Sequence, residues 1–215
     1  MKINSAKKMT TIAILSAMAV VLSLFIRVPL VPAVPFLTYD PKDVVIGVGG
    51  LLLGPVSAFL ISMISSFLEI LISGGNLIDV LMNVLSTCAF ICTASWIYRK
   101  KPGFPFLVLG LIIGTLVSSG IMVLWNYVVT PFYYGMPRAT VAAMLPAIAL
   151  FNLLKDGINT GVLILIYKPV VMVLSKSKLA QASAPEQVSN KKAALIALVF
   201  LAVTFIAALA CLALS

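Results

Sequence analysis

Long apolar stretches, separated by short polar or basic clusters, constrain this chain more than any other feature of its sequence. They run from Met9 to Ile26, Asp43 to Ser73, Leu77 to Tyr98, Phe104 to Val129, Val141 to Tyr167 and Ala193 to Leu214. With 62% hydrophobic and only 10% charged residues in 215, the chain has too little polar surface to cover a soluble globule. The stretches lack the strict alternation of barrel strands, and within hydrocarbon only helices and closed barrels satisfy the backbone. The fold class is therefore all-α: a polytopic helical membrane protein with the lipid bilayer as its solvent. Lys2, Lys7 and Lys8 precede the first stretch as they would in a signal peptide. That stretch is longer than a usual signal core and is followed by Arg27 and three prolines without a small-residue cleavage site, so it reads as a first transmembrane helix.

Residues 43 to 73 are too long for one crossing, since 31 helical residues reach roughly 46 Å against a hydrocarbon core of about 30 Å. Gly54-Pro55 offers the break, giving a short helix from Asp43 to Gly54 and a full span from Pro55 to Ser73. Asp40-Pro41 marks the start of the short helix, because Pro suits a first turn and Asp can cap its N–H groups. The positive-inside rule decides between one crossing and two. Two crossings put three basic groups on one side: Lys2, Lys7 and Lys8; Arg99, Lys100 and Lys101; and Lys168, Lys176, Lys178, Lys191 and Lys192. Only Arg27, Lys42 and Arg138 then lie outside, with Lys155 inside a span. The reading is six helices over residues 1–178 with a cytoplasmic N-terminus, a polar linker over 179–192, and a further helix over 193–215.

Composition also excludes whole classes of chemistry. The chain has no histidine, which removes the commonest general base and with it Ser-His, Cys-His and zinc-hydrolase arrangements. Cys88, Cys92 and Cys211 all lie in apolar stretches as small hydrophobes, and no further ligand completes a metal site with Cys88 and Cys92. The formal charge of +9 falls in clusters between spans, without the interleaved aromatics of a nucleic-acid surface. No catalytic residues, metal, cofactor or nucleic-acid partner is expected.

Polar residues inside the spans are the candidate functional groups, because ionisable side chains there cost about 2.5 to 3.5 kcal/mol each on insertion. Asn152, Lys155 and Asn159 share one helical face, with Asp156 bordering it. Asp79, Asn83 and Thr87 form a second stripe, and Glu69 closes the span before it. Asp79 and Glu69 are the carboxylates considered as partners of Lys155; the same stripe also serves ordinary interhelical hydrogen bonding. Asn126, within Trp125-Asn126-Tyr127 near the end of its span, offers the donor and acceptor that suit the carbonyl and N–H edge of a heterocycle. On the first helix, Ala13 and Ala17 lie four apart with Ser16 beside them, a small surface that lets a partner helix approach.

Several segments together make the chain resemble the riboflavin-specific substrate-binding subunit, or S component, of energy-coupling factor (ECF) transporters. They are Phe36-Leu37-Thr38-Tyr39-Asp40-Pro41-Lys42-Asp43, Gly54-Pro55, Val80-Leu81-Met82-Asn83, Trp125-Asn126-Tyr127 with Thr130-Pro131, and Phe151-Asn152-Leu153-Leu154-Lys155. The resemblance spans residues 9 to 172 and implies a six-helix bundle in the cell membrane, to which the last helix is an addition. It implies riboflavin capture on the outer side under the first loop, with Asn126, Asn152 and Lys155 as ligand contacts and Leu37, Tyr39, Asp40 and Asn83 contributing. It also implies import driven by a membrane coupling subunit and two ATPase subunits, with Ala13 and Ala17 facing the coupling subunit. The chain carries no Gly-x-x-x-x-Gly-Lys-Ser/Thr motif, so ATP is used by other chains. Competing readings are an S component for another heterocycle such as a pterin or a queuosine precursor, an intramembrane enzyme using Asp79, Glu69 and Lys155, and a structural scaffold.

Overall fold

A computed structural model describes residues 5–177 and 190–214. Among these residues the chain forms seven helices and a single two-stranded ladder. Helix α1 (Ser5–Phe25) leads into a loop whose strands β1 (Val28–Pro29) and β2 (Thr38–Tyr39) pair antiparallel, Val28 opposite Tyr39 and Pro29 opposite Thr38. Then follow α2 (Lys42–Leu53), α3 (Pro55–Ser73), α4 (Leu77–Lys100), α5 (Phe104–Tyr134), α6 (Arg138–Ser177) and α7 (Asn190–Leu214). Five of them, α1 and α3 to α6, are long and apolar enough to cross a membrane. The surface supports that solvent: Phe67, Leu71, Leu116 and Leu124 are more than half exposed, whereas Ser16, Ser57, Ser62, Ser66 and Ser118 are buried. Small polar residues line the helix contacts and large apolar ones face outward, as lipid requires.

Gly54 makes the break that the sequence places there. Its φ of +95° lies in a region that side chains rarely adopt, and the guanidinium of Arg99 fills the space a Cβ would need. Because Arg27 at the end of α1 reaches Glu69 and Ser73 at the end of α3, α1 and α3 run parallel. Helix α2 therefore runs back between them, and the stretch 43–73 does double over at Gly54. At 12 residues α2 is only about 18 Å long. Its first turn is level with Thr87 of α4, which bonds Asp43, and its last turn is level with Ser95, which donates to the Gly50 carbonyl at 2.6 Å. The loop before it fills the remaining depth: Val31, Val34 and Leu37 are buried against Ile148, Phe151 and Leu154 of α6. The loop is thus a packed plug at one end of the bundle, opposite the end that holds Arg99, Lys100 and Lys101.

Other boundaries follow local chemistry. Asn76 caps α4, its side chain accepting from Ile78 N at 2.9 Å while Asp79 accepts from Asn76 N at 3.0 Å. Cys88–Cys92 forms a π-helical turn within α4. Both of these cysteines are free thiols; the side chain of Cys211 lies outside the described set. Two sequence boundaries are corrected. Helix α5 does not stop at Val129 but runs through Pro131 to Tyr134, because a proline near a helix end removes one hydrogen bond without forcing termination inside a protein bundle. Helix α6 likewise continues past Tyr167 and Pro169 to Ser177; residues 178–189 lie outside the described set. Helix α7 packs along α6 where Gly157 and Gly161 leave room, against Thr204 and against Leu201 and Ala197 respectively.

Candidate ligand-binding site

At the end of the bundle closed by the loop lies a cavity of about 220 Å³. Its polar and charged lining includes Arg27, Asp40, Glu69, Asp79, Asn83, Ser86, Asn152 and Lys155, and its apolar lining Phe36, Leu37, Ile70, Met82, Met122 and Phe151. Five residues expected from the sequence, Leu37, Asp40, Asn83, Asn152 and Lys155, thus converge from the loop and from α4 and α6. The helical stripes explain the convergence. Asn152 and Lys155 are one turn apart on α6, and Asp79, Asn83 and Ser86 face the same space from α4.

Lys155 is buried and its Nζ lies 2.9 Å from Asp43 Oδ2. Asp43, fully buried in the first turn of α2, also accepts from Thr87 Oγ1 at 2.7 Å through its other oxygen. The partner of Lys155 is therefore neither Asp79 nor Glu69. Glu69 instead binds Arg27 and the 1%-exposed Lys42, each at 2.7 Å, with Asp40 3.7 Å from Lys42. Lys42 is accordingly a buried ion-pair member and not an outer-surface cation. Asp79 accepts from Tyr133 Oη at 2.9 Å. The cavity's cations are each matched by a carboxylate, which suits a neutral, polar ligand better than an anion.

The remaining candidates divide. Asn152 donates Nδ2 to the Ile148 carbonyl at 2.8 Å, which leaves its carbonyl oxygen as the acceptor a ligand can use. Tyr39 does not line the cavity; its hydroxyl donates to Asn159 Oδ1 at 3.2 Å and pins the loop to α6. Burial, with Asp40 and Asp43 adding to it, pushes the Tyr39 hydroxyl up to about 12, so it stays a neutral donor. Asn126 is buried on α5 with both amide atoms engaged, donating to Met122 O and accepting from Thr130 Oγ1, each at 2.8 Å. It lines a separate pocket of about 20 Å³ that shares Phe36, Asp79 and Met82 with the main cavity. Thr130 is its partner because α5 continues beyond the end expected from the sequence.

Sequence reasoning overlooked Asp43 and the inward role of Lys42. A signal was present: Asp-Pro-Lys-Asp opens a helix too short to span, so its charged first turn must lie at depth. Ala13 and Ala17 are exposed on α1, while Ser16 is buried.

Comparison with known proteins bears on this architecture. The family model described as "ECF transporter, substrate-specific component" matches residues 7–171. The riboflavin transporter RibU of Staphylococcus aureus (strain TCH60) is 33% identical over 177 residues, 79% of this chain and 93% of its own. RibU of Streptococcus thermophilus (strain ATCC BAA-250 / LMG 18311) is 27% identical over 184 residues, 80% of this chain and 87% of its own. Riboflavin transporter FmnP of Bacillus subtilis (strain 168) is 28% identical over 177 residues, 75% of this chain and 90% of its own. A solved structure described as "Structure and mechanism of the S component of a bacterial ECF transporter" superposes with a TM-score of 0.68 at 33% identity, covering 80% of this chain and 99% of the other. A multi-pass membrane bundle whose residues 7–171 match that family throughout, this chain belongs to the substrate-specific components of ECF transporters.

Proposed function

We propose that the chain is the riboflavin-binding S component of an ECF importer, taking the vitamin into the cavity beneath the β1–β2 loop. The observation that carries the reading is the cavity itself: aromatic and thioether side chains for a flat ring, beside Asn152, Lys155 and Asn83 as hydrogen-bonding groups, with its charges internally paired. Riboflavin is uncharged at neutral pH and rich in carbonyl and hydroxyl acceptors, which match a lysine donor without demanding a ligand anion. The names of the relatives point the same way.

Lys155 donates to a ligand oxygen and Asn152 accepts from a ligand N–H. Asn126 joins them when Phe36 and Met82 shift. Both residues line the main cavity and the Asn126 pocket, so their shift joins the two spaces. The loop-covered end faces outward and the N-terminus is cytoplasmic, in keeping with the basic clusters at the opposite end. Residues 1–178 form the binding domain, followed by a linker and the added helix α7, Asn190–Leu214. Ala13 and Ala17 form the contact for a membrane coupling subunit, which with two ATPase subunits drives import.

The test is to identify what the protein carries from cells. Protein purified from riboflavin-supplied cells should show a flavin absorption spectrum, with riboflavin recovered on denaturation and identified by mass. Recovery of a different vitamin in stoichiometric amount would overturn the assignment.

A further inference from the structure

Not every polar residue of α6 serves the cavity. Asp156 follows Lys155 but points roughly 100° away around the helix, and it is absent from the cavity lining. Its side chain is 0% exposed. Ser118 of α5 faces it, and the Ser118 hydroxyl lies 3.5 Å from the backbone carbonyl of Ser86 on α4. Among the described residues, neither Asp156 carboxylate oxygen has a hydrogen-bond partner, and the buried hydroxyls of Ser119 and Thr160 also have none. Thr160 is one turn beyond Asp156 on the same helix face.

The charge balance around Asp156 is specific. The ionisable groups that act on it are Lys155 from its own helix and Asp43 from α2, and these are paired with each other at 2.9 Å. Lys42, the other cation of α2, is held by Glu69 and Asp40. From α5 it meets the neutral hydroxyl of Ser118, which in turn lies 3.5 Å from the Ser86 carbonyl of α4, and the α7 side chain packed against the neighbouring Gly157 is Thr204. The pair cancels, and Asp156 leaves one acidic group without a cation of its own in the middle of a membrane bundle. Such a group is costly unless a cation accompanies it.

The geometry around it suits a cation. The Ser118 hydroxyl of α5 is the common neighbour of the Ser86 carbonyl on α4 and the Asp156 carboxylate on α6. The 3.5 Å between Ser86 O and Ser118 Oγ is long for an O–H···O hydrogen bond, usually about 2.7–2.8 Å. It is near the roughly 3.4 Å that separates two oxygens at right angles on one hard cation with bonds of about 2.4 Å. All the donors are oxygen, which disfavours soft metals, and one carboxylate carries one charge.

We propose that Asp156, with Ser118 and the Ser86 carbonyl, forms an intramembrane site for a small monovalent cation, taken up as a sodium ion or as a proton. The site joins α4, α5 and α6 behind the ligand cavity, and it stands independently of which vitamin that cavity holds.

Unfolding of the flavin-free, full-length protein tests this, measured at constant ionic strength in sodium chloride and in choline chloride at pH 6 and pH 8. A ligand bound only by the folded state raises Tm by about 3–5 °C for each tenfold excess over its dissociation constant. Sodium binding predicts a higher Tm in sodium than in choline at pH 8. Proton binding predicts a Tm that falls from pH 6 to pH 8 in both salts, because the bound proton stabilises the folded form at the lower pH. Either response should vanish in Asp156→Asn, and Ser118→Ala should weaken it; if the former variant does not fold, the latter decides. Equal Tm in all four conditions, or an undiminished response in the variants, would overturn the proposal.

Discussion

Replacing Lys155 with Met separates a ligand contact from a structural charge, provided that Asp43 is varied with it. Met keeps the apolar stem and removes the ammonium that lies 2.9 Å from Asp43. Asp43 is fully buried, so breaking the pair strands a carboxylate at a cost of about 3–5 kcal/mol. For a chain of this size that corresponds to a Tm loss of roughly 6–20 °C. A charge-assisted hydrogen bond to riboflavin contributes about 1.5–3 kcal/mol, so its loss weakens binding about 10- to 150-fold. Lys155→Met alone should show both effects. In Lys155→Met/Asp43→Asn both charges are gone and the Asn carbonyl can still accept from Thr87, so Tm should return close to that of the unmodified protein. Affinity should stay low, because the donor to the ligand is still missing. Scanning fluorimetry without ligand and flavin-fluorescence titration well below Tm read the two quantities separately. If affinity recovers together with Tm in the double variant, Lys155 acts only through the scaffold and the contact reasoning is refuted.

Asn152→Ala removes one neutral hydrogen bond of about 0.5–1.5 kcal/mol and should weaken riboflavin roughly 2- to 13-fold in the same titration. Asn126→Ala should lower ligand-free Tm as well, since its amide bridges Met122 and Thr130; an unchanged Tm would contradict that bridge. Large side chains at Ala13 and Ala17 should leave riboflavin titrations unchanged but block co-purification with the coupling subunit, and intact assembly would remove that surface from the account. Truncation after Lys178 keeps every residue that lines the cavity, so binding should persist. Uncovering Gly157 and Gly161 should lower Tm, and loss of binding in a monodisperse truncated protein would give α7 a direct role.

Most of the architecture was legible because lipid imposes a simple code of length, apolarity and basic flanks. The doubling of 43–73 came from length, Gly54-Pro55 and the distribution of basic residues, and the parallel course of α1 and α3 agrees with it. The facing of Asn83, Asn152 and Lys155 into one cavity followed from helical spacing. What periodicity could not supply was partner choice. Spacing within α6 gives the direction of Lys155, but its pairing with Asp43 depends on how deep α2 begins, which the packed loop sets. The end of α5 was misplaced for a related reason: Pro131 looks like a terminator in isolation, yet helix contacts carry the chain beyond it. That extra turn and a half brings Tyr133 to Asp79, a contact no local rule announces.

The most direct measurement is an equilibrium titration of riboflavin into the purified, flavin-depleted protein, followed by quenching of flavin fluorescence. Saturable quenching with a stoichiometry of about one, weakened by Lys155→Met and by Asn152→Ala, is the predicted result. A folded, monodisperse protein that leaves flavin fluorescence unchanged throughout would contradict the assignment of riboflavin to this cavity.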